Sequence, residues 1–149
     1  MRVFFENHFY NQFIIYPNKN IYLCSVKFER MRPYGFATMK IIRSKYLPPL
    51  RRHSAINLFG VFFVHPNVHV SRRLINHERI HTAQMRELGY LPFYLIYLIE
   101  WLIRLVPKGN AYYNISFERE AYKYEHNFHY LEHRKHYAWF KYLKKKNKR

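Results

Sequence analysis

The chain has 149 residues, with 26 Lys and Arg, nine acidic residues and a formal net charge of +17. All nine acids are glutamates, and the absence of aspartate excludes a Ser-His-Asp triad, an aspartic dyad, an EF-hand loop and a kinase-type magnesium site. The 4 glycines do not form a phosphate-binding loop, and the single cysteine, Cys24, excludes an internal disulfide and a cysteine-rich zinc finger.

The size and hydrophobic content predict one folded domain over residues 1–149. Half of the chain is hydrophobic (49%) and 20% is aromatic, which argues against disorder despite the charge. The N-terminal segment lacks a long apolar core followed by a small-residue cleavage site, so we expect no signal peptide and a cytoplasmic location. The basic balance predicts attraction to anionic lipid or nucleic acid without distinguishing the two.

Residues 1–70 are predicted to be mainly strands and loops. The segment 21–30, IYLCSVKFER, is rich in β-branched and aromatic residues with partial alternation, which predicts a strand. The apolar run AINLFGVFFV at 55–64 predicts a second strand, closed by His65-Pro66-Asn67.

Residues 71–149 are predicted to be mainly helical. Ser71 is a suitable N-cap for a helix that runs to Gly89, a natural C-terminal stop. A second, apolar helix follows over 90–107, and a third, longer helix begins at 111–114 and continues into the Lys-rich tail. The sequence therefore predicts a small α+β domain, with N-terminal strands followed by these three helices.

The apolar helix 90–107 is close to the minimum length for a membrane span. It contains Glu100 and Arg104, each of which would cost about 2.5–3.5 kcal/mol at the centre of a bilayer. Spaced i, i+4, the two side chains can pair on one helix face, which favours a buried helix within the domain. The alternative is an interfacial or membrane-embedded helix, because the flanking basic and aromatic residues suit a lipid headgroup layer.

Two basic segments suit phosphate contacts: the tail KYLKKKNKR from Lys141, and the pair Arg51-Arg52. A solvated run of charge is the simpler interpretation of both. The sequence contains no helix-turn-helix, RNP-type or zinc-finger pattern, so a nucleic-acid partner is disfavoured. An anionic membrane surface remains a possible partner for the 90–107 helix and the basic tail together.

A metal-binding pattern lies inside the first predicted helix. His77-Glu78-Arg79-Ile80-His81 is H-E-x-x-H, and its i, i+4 spacing places both imidazoles on one helix face, where they can ligate one Zn²⁺. Glu78 lies about 100° round the helix from His77, so it can reach the attacking water rather than the metal and act as general base. The alternative is two surface histidines on a basic helix.

A zinc site of this kind needs a third protein ligand and an open fourth position. The downstream segment NISFEREAY holds Glu118 and Glu120, whose i, i+2 spacing points them to different helix faces, so at most one easily joins the histidines. Gln84 lies one turn beyond His81 and is expected to contact a group that supports the ligands. Glu87 lies further round the helix and is expected to be solvated.

The combination of HERIHTAQ, an aromatic helix and NISFEREAY resembles the gluzincin branch of zinc metallopeptidases. Glu118-Arg119-Glu120-Ala121 is similar to the E-x-E-A stretch of the integral-membrane metallopeptidases of the CAAX-prenyl-protease type. The resemblance implies a zincin-like domain that hydrolyses peptides or proteins, with His77, His81 and Glu118 as zinc ligands and Glu78 as catalytic base. Tyr122 stands where the peptidase pattern has an aspartate that supports the active site.

The stretch from about Phe59 to Leu143 also resembles a family of short uncharacterised bacterial proteins with HExxHxxQ, FYLxYxxEW and NISFEREAY motifs. That family has no established activity, so this resemblance implies a site without implying a substrate.

The peptidase resemblance further implies an edge strand that pairs with an extended substrate, and a donor for the developing oxyanion. The run 55–64 is the candidate for the strand. The candidates for the donor remain open: Tyr112, Tyr113, Tyr122 and the C-terminal histidines.

Histidines and apolar residues both recur at helical spacing near the C-terminus. We expect His126, His129, His133 and His136 to form a solvated face, although the i, i+4 pair His129/His133 leaves a second metal site open. An apolar stripe is expected to pack in the core; it consists of Ala121, Tyr124, Phe128, Leu131, Trp139 and Tyr142.

The function that these features favour is a zinc-dependent metallohydrolase, acting as a peptidase on a peptide or protein substrate. The alternative is a non-catalytic basic module that binds a membrane surface or nucleic acid, with a structural or degenerate metal site.

Overall fold

A computed structural model of the protein describes residues 11–14, 21–26, 39–46, 55–106 and 110–144. Within these ranges the chain combines a β-sheet with helices, which confirms the predicted α+β class. The chain divides into two compact units, Met1–Val68 and His69–Arg149. This boundary lies close to the predicted change from strands to helices.

The N-terminal unit contains a five-stranded sheet with the spatial order β1-β2-β3-β5-β4. Strands β3 and β5 pair in parallel and the other neighbours pair antiparallel. The strands are β1 (Asn11–Ile14), β2 (Ile21–Val26), β3 (Met39–Ser44), β4 (Ala55–Leu58) and β5 (Val61–Val64).

The strand predicted over 21–30 is confirmed as β2 for Ile21–Val26, and 27–30 lie outside the described residues. The prediction of a single strand over 55–64 is wrong, because β4 and β5 form a hairpin. Phe59 and Gly60 both have positive φ, 51° and 79°. That is the signature of a two-residue type I′ turn, which glycine favours. The hairpin leaves β4 at the edge of the sheet.

Alternation along β5 buries one face of the sheet. Phe62 and Val64 are fully buried, and Ile41 of β3, which pairs with Phe62, is buried beside them. The segment that follows β5 is held by Arg43 of β3, whose guanidinium donates to the carbonyl oxygens of Pro66 (2.9 Å) and Val68 (3.1 Å).

Two helices open the C-terminal unit, α1 (Arg72–Leu88) and α2 (Tyr90–Leu105). As predicted, Ser71 caps α1, its hydroxyl oxygen accepting from the Leu74 N–H at 3.2 Å. Gly89 ends α1 with φ of 73°, and the chain bends by 110° between the two helices. Among the described helices none is alone long and apolar enough to cross a membrane. Helices α1 and α2 reach the length and composition of a span only when they are counted together across their bend.

The predicted long C-terminal helix is wrong. The chain instead forms three short helices and a 3₁₀ helix: α3 (Ala111–Asn114), α4 (Ser116–Tyr124), α5 (Tyr130–His133) and the 3₁₀ helix (Ala138–Tyr142). Ile115 is extended, with φ −61° and ψ 137°, and separates α3 from α4. Tyr137 is left-handed, with φ 55°, and precedes the 3₁₀ helix.

Contacts from other helices fix both ends of α4. The Glu100 carboxylate of α2 accepts from the Ser116 N–H (2.9 Å) and hydroxyl (2.6 Å), and it also forms the predicted pair with Arg104 at 2.9 Å. At the other end, the Asn76 side chain of α1 donates to three carbonyl oxygens, those of Tyr124, Glu125 and Asn127. Two of these carbonyls, those of Tyr124 and Asn127, also accept backbone N–H groups of Asn127 and Tyr130, so Asn76 reinforces the turns that follow α4.

The core of this unit has two clusters. Met85, Phe93, Ile115, Phe117 and Trp139 form the first, and Ile80, Ala121 and Leu131 form the second. Three residues of the predicted apolar stripe are therefore buried as expected, whereas Phe128 is 36% exposed. The four C-terminal histidines are exposed, as predicted.

Candidate metal centre

Three side chains predicted as zinc ligands converge in the C-terminal unit. The Nε2 atoms of His77 and His81 lie 3.1 Å apart. Glu118 places Oε2 3.4 Å from the first of these atoms and Oε1 3.4 Å from the second. All three residues are buried, and across the described ranges they form the one group of His, Cys or acidic side chains close enough to share an ion.

The helices explain this convergence. The i, i+4 spacing on α1 stacks the two imidazoles one turn apart. Glu118 lies in the first turn of α4, directly after Phe117, which packs in the core against Phe93. The two hydrogen bonds from Ser116 to the Glu100 carboxylate fix the start of that turn. The third ligand position therefore depends on a contact between α2 and α4 as well as on α4 itself.

The atoms present fit a zinc ion. A tetrahedral ion with bonds of about 2.0–2.1 Å holds its ligand atoms about 3.3 Å apart. The two Nε2 atoms are 3.1 Å apart, each lies 3.4 Å from a different oxygen of the Glu118 carboxylate, and one ligand atom from each residue lies within 4.8 Å of the others. The buried Oε2 of Glu118 has no hydrogen-bond donor among the described residues. Such an orphaned acceptor is costly unless a cation faces it. Two imidazoles and a carboxylate are also a typical zinc donor set.

Each histidine is oriented through its other ring nitrogen. Nδ1 of His77 lies 3.1 Å from Oε2 of Glu125, and Nδ1 of His81 lies 2.8 Å from Oε1 of Gln84. The Gln84 amide nitrogen donates to Glu120 and to the Phe117 carbonyl, which fixes the amide oxygen towards His81. In its neutral form each imidazole then carries its proton on Nδ1 and directs the Nε2 lone pair into the centre.

Glu125 is a residue that the sequence analysis missed. It follows Glu118 by seven residues, about two helical turns, and that spacing is the signal that would have indicated a shared face. Tyr122, which occupies the aspartate position of the peptidase pattern, packs its ring against His77 with centroids 4.6 Å apart. The carboxylate that contacts Nδ1 of His77 therefore comes from Glu125.

Glu120, the alternative third ligand, lies in a different network. Its carboxylate accepts from Arg134 Nε (2.5 Å), from the Tyr130 hydroxyl (2.9 Å) and from Gln84 (3.1 Å). Arg134 also pairs with Glu87, whose side chain is only 3% exposed. The prediction of a solvated Glu87 is thus wrong, because a buried guanidinium draws both glutamates inward.

Glu78, the predicted catalytic base, is 9% exposed on α1 next to His77. Its carboxylate contributes to raising the pKa of both His81 and Tyr97, so it belongs to the electrostatic environment of the centre. Its own backbone carbonyl accepts from the Thr82 hydroxyl at 3.0 Å.

The charges of the centre are mutually stabilising. Burial disfavours the imidazolium form of His81, but the Glu118 and Glu78 carboxylates and the hydrogen bond to Gln84 together outweigh burial and raise the pKa of His81 to about 9. Burial alone would raise the pKa of Glu118, but the two histidines hold it well below its usual range. The pocket therefore favours a positive charge next to the Glu118 carboxylate.

Tyrosines surround the same carboxylate. The Tyr97 hydroxyl of α2, which the sequence analysis also missed, donates to Glu118 Oε1 at 2.9 Å. Burial and the Glu118 charge raise the pKa values of Tyr97, Tyr112 and Tyr122, so all three keep their protons. Of the predicted oxyanion donors, Tyr112 and Tyr122 therefore lie by the centre, whereas Tyr113 contacts Tyr122 at a ring distance of 5.0 Å.

The C-terminal histidines do not join the centre. They are exposed and pair with glutamates, His126 with Glu125, His129 and His133 with Glu132, and His136 with Glu87. Within the described part of the chain no second group of potential ligands forms around His129 and His133.

No protein-family model matches this chain, and comparison with curated proteins and with solved structures finds no similar protein.

Proposed function

We propose that the protein is a zinc-dependent hydrolase with a zincin-like centre, and that it cleaves peptide bonds in a peptide or protein substrate. The observation that supports this most strongly is the convergence of His77 Nε2, His81 Nε2 and the orphaned Glu118 oxygen beside the helix that carries Glu78. Bound Zn²⁺ would supply Lewis-acid chemistry, polarising a carbonyl and lowering the pKa of water from about 15.7 to about 7.

Glu78 is assigned as the general base. It is adjacent to His77 on α1, yet it does not belong to the group whose ligating atoms converge. Its carboxylate accepts a proton from the attacking water, whose oxygen bonds to the carbonyl carbon, and delivers that proton to the amine nitrogen as the C–N bond breaks.

The other residues prepare the site. Glu125 and Gln84 hold His77 and His81 in the tautomer that presents Nε2, as described above. Tyr97 holds Glu118 in place. The protonated hydroxyls of Tyr112 and Tyr122 are the candidate donors to the oxyanion that develops on the carbonyl.

Metal content tests the ligand set first. The purified protein, stripped with a chelator and then dialysed against zinc, is expected to retain about one equivalent by elemental analysis, and His77→Ala to retain almost none. Failure of the wild-type protein to hold zinc would end the proposal. The exposed variant His133→Ala is the matched control and should retain the full amount.

Hydrolysis is tested separately with Glu78→Gln. Digestion of a defined peptide library, followed by mass spectrometry, should give cleavage products with the zinc-loaded protein and none with Glu78→Gln, which keeps its zinc. Equal cleavage by the two proteins would contradict the role of Glu78. Zinc binding with no cleavage in either would favour the alternative, a non-catalytic module with a structural metal.

A further inference from the structure

Helix α2 presents an uncovered apolar face. Leu91, Leu95, Leu98, Ile99, Leu102 and Val106 are between 48% and 88% exposed, and their spacing of three and four residues places them on one side of the helix. We call these six residues the outer face of α2. A helix of 16 residues is about 24 Å long, so the face is an extended apolar strip.

The charged residues of α2 lie away from this strip. Glu100 is about 180° round the helix from Leu91; its side chain is 7% exposed and pairs with Arg104, which is 13% exposed. The outer face therefore carries no charge and no hydrogen-bonding side chain, although a typical protein interface has a polar rim and hydrogen bonds.

Basic residues lie near the C-terminal end of α2. The guanidinium of Arg104, in the last turn of α2, donates to the Leu143 carbonyl at 2.7 Å. Arg119 donates to the carbonyls of Tyr142 (2.5 Å) and Lys144 (3.0 Å), which holds the same segment. The basic sequence KYLKKKNKR thus begins beside the last turn of α2.

We propose that the outer face of α2 and the exposed lysines Lys141 and Lys144 together dock the protein in the plane of an anionic lipid bilayer. The apolar strip enters the boundary between headgroups and acyl chains, and the lysines contact anionic headgroups. A second copy of the chain is a poorer occupant of the strip, because each copy carries a net charge of +17 and the two would repel each other.

The opposite side of α2 forms part of the metal centre. The Phe93 ring lies 6.5 Å from the His81 ring, and Tyr97 donates to Glu118. Since a helix with its side chains is about 10–12 Å across, docking places the centre about one helix diameter from the lipid. The docking itself does not depend on whether the centre is hydrolytic.

The test is sedimentation of the full-length protein with vesicles of phosphatidylcholine alone or with about a third phosphatidylglycerol. We expect binding to the anionic vesicles. The double variant Leu95→Gln/Leu102→Gln removes apolar contact without changing charge and should bind at least tenfold more weakly. Tyr46→Gln, which alters a side chain that is 70% exposed in the N-terminal unit, is the matched control and should bind like the wild type.

A second variant tests the electrostatic part. Lys141→Gln/Lys144→Gln should bind anionic vesicles about tenfold more weakly, with a weaker dependence on salt. Circular dichroism and zinc content verify that each variant is folded. Unchanged binding by the leucine variant, or equal binding to neutral and anionic vesicles, would overturn the proposal. So would dimerisation in sedimentation velocity that Leu95→Gln/Leu102→Gln abolishes, since the strip would then be a contact between copies.

Discussion

The side chains of Gln84 and His81 form a 2.8 Å hydrogen bond whose direction is fixed from outside the centre. Gln84 cannot turn its amide round, because its nitrogen donates to the Glu120 carboxylate and to the Phe117 carbonyl. The network of Arg134, Glu120 and Gln84 therefore sets the tautomer of a predicted zinc ligand, His81, although neither Arg134 nor Glu120 belongs to the ligand group.

This relationship predicts the effect of Gln84→Leu. The leucine has a similar volume but leaves His81 Nδ1 without its acceptor, so the imidazole loses its fixed orientation. We expect zinc affinity to fall by about 10–100-fold, measured by competition with a chromophoric chelator. Lys135→Ala, on the exposed surface, is the control. Affinity equal to that of the wild type would mean that His81 is oriented by packing alone.

Two glutamates two residues apart should behave in opposite ways when each is changed to glutamine. Glu118→Gln should lower zinc affinity by at least about 100-fold because the anionic ligand is lost, with the metal-free fold retained. Glu120→Gln should leave the ligands intact but destabilise the fold by about 3 kcal/mol, since the buried Arg134 loses part of its compensation. Zinc titration and urea unfolding, both starting from metal-free protein, separate the two effects. If Glu120→Gln lost zinc and Glu118→Gln did not, the assignment of the third ligand would be reversed.

Zinc binding should depend on pH with a definite sign. The pKa of His81 is raised to about 9 in the metal-free protein, so His81 holds a proton at pH 7 that a metal must displace. Apparent affinity should rise about tenfold per pH unit between pH 6.5 and 8.5 and level off above about 9. Calorimetry in buffers of different ionisation enthalpy should detect release of about one proton at pH 7. An affinity that is flat over this range would indicate a neutral His81.

The hydrogen bonds between Glu100 of α2 and Ser116 of α4 should couple the stability of the fold to zinc binding. Glu100→Ala removes the acceptor for both Ser116 groups and the carboxylate that pairs with Arg104, so we expect a loss of about 3–5 kcal/mol in unfolding free energy. Zinc affinity should also fall, since Glu118 lies in the turn that Ser116 begins. Ser116→Ala, which removes only the hydroxyl contact, is the milder control, at about 1 kcal/mol. Thermal unfolding with and without zinc measures both effects.

Local signals in the sequence were sufficient to predict the first two helices and the three candidate zinc ligands. Helix α1 begins after Ser71 and ends before Gly89, as predicted, because capping depends on the residues immediately at the helix ends. The i, i+4 spacing of His77 and His81 follows from helical geometry alone. The sequence left Glu118 and Glu120 as alternatives, and only the rotation of α4 against α1 distinguishes their positions.

Features set by distant contacts were not predictable in this way. The predicted long C-terminal helix stops at the end of α4, where Asn76, about 50 residues upstream, donates to the backbone carbonyls. Glu87 has the spacing of a solvated residue on α1, but Arg134 draws it inward. The hairpin within 55–64 was missed for a different reason, since Phe59 occupies a left-handed position that glycine or asparagine would normally signal.

The burial of the glutamates has a kinetic consequence. Among the described residues, the side chains of Glu78, Glu87, Glu100, Glu118, Glu120 and Glu125 are largely removed from solvent, whereas Arg72, Arg73, Arg86, Lys123, Lys135 and Lys141 are exposed. An approaching molecule therefore encounters a nearly uncompensated cationic surface. Acidic peptides should reach this unit faster than basic peptides of equal length, and stopped-flow association rates should converge as salt is added.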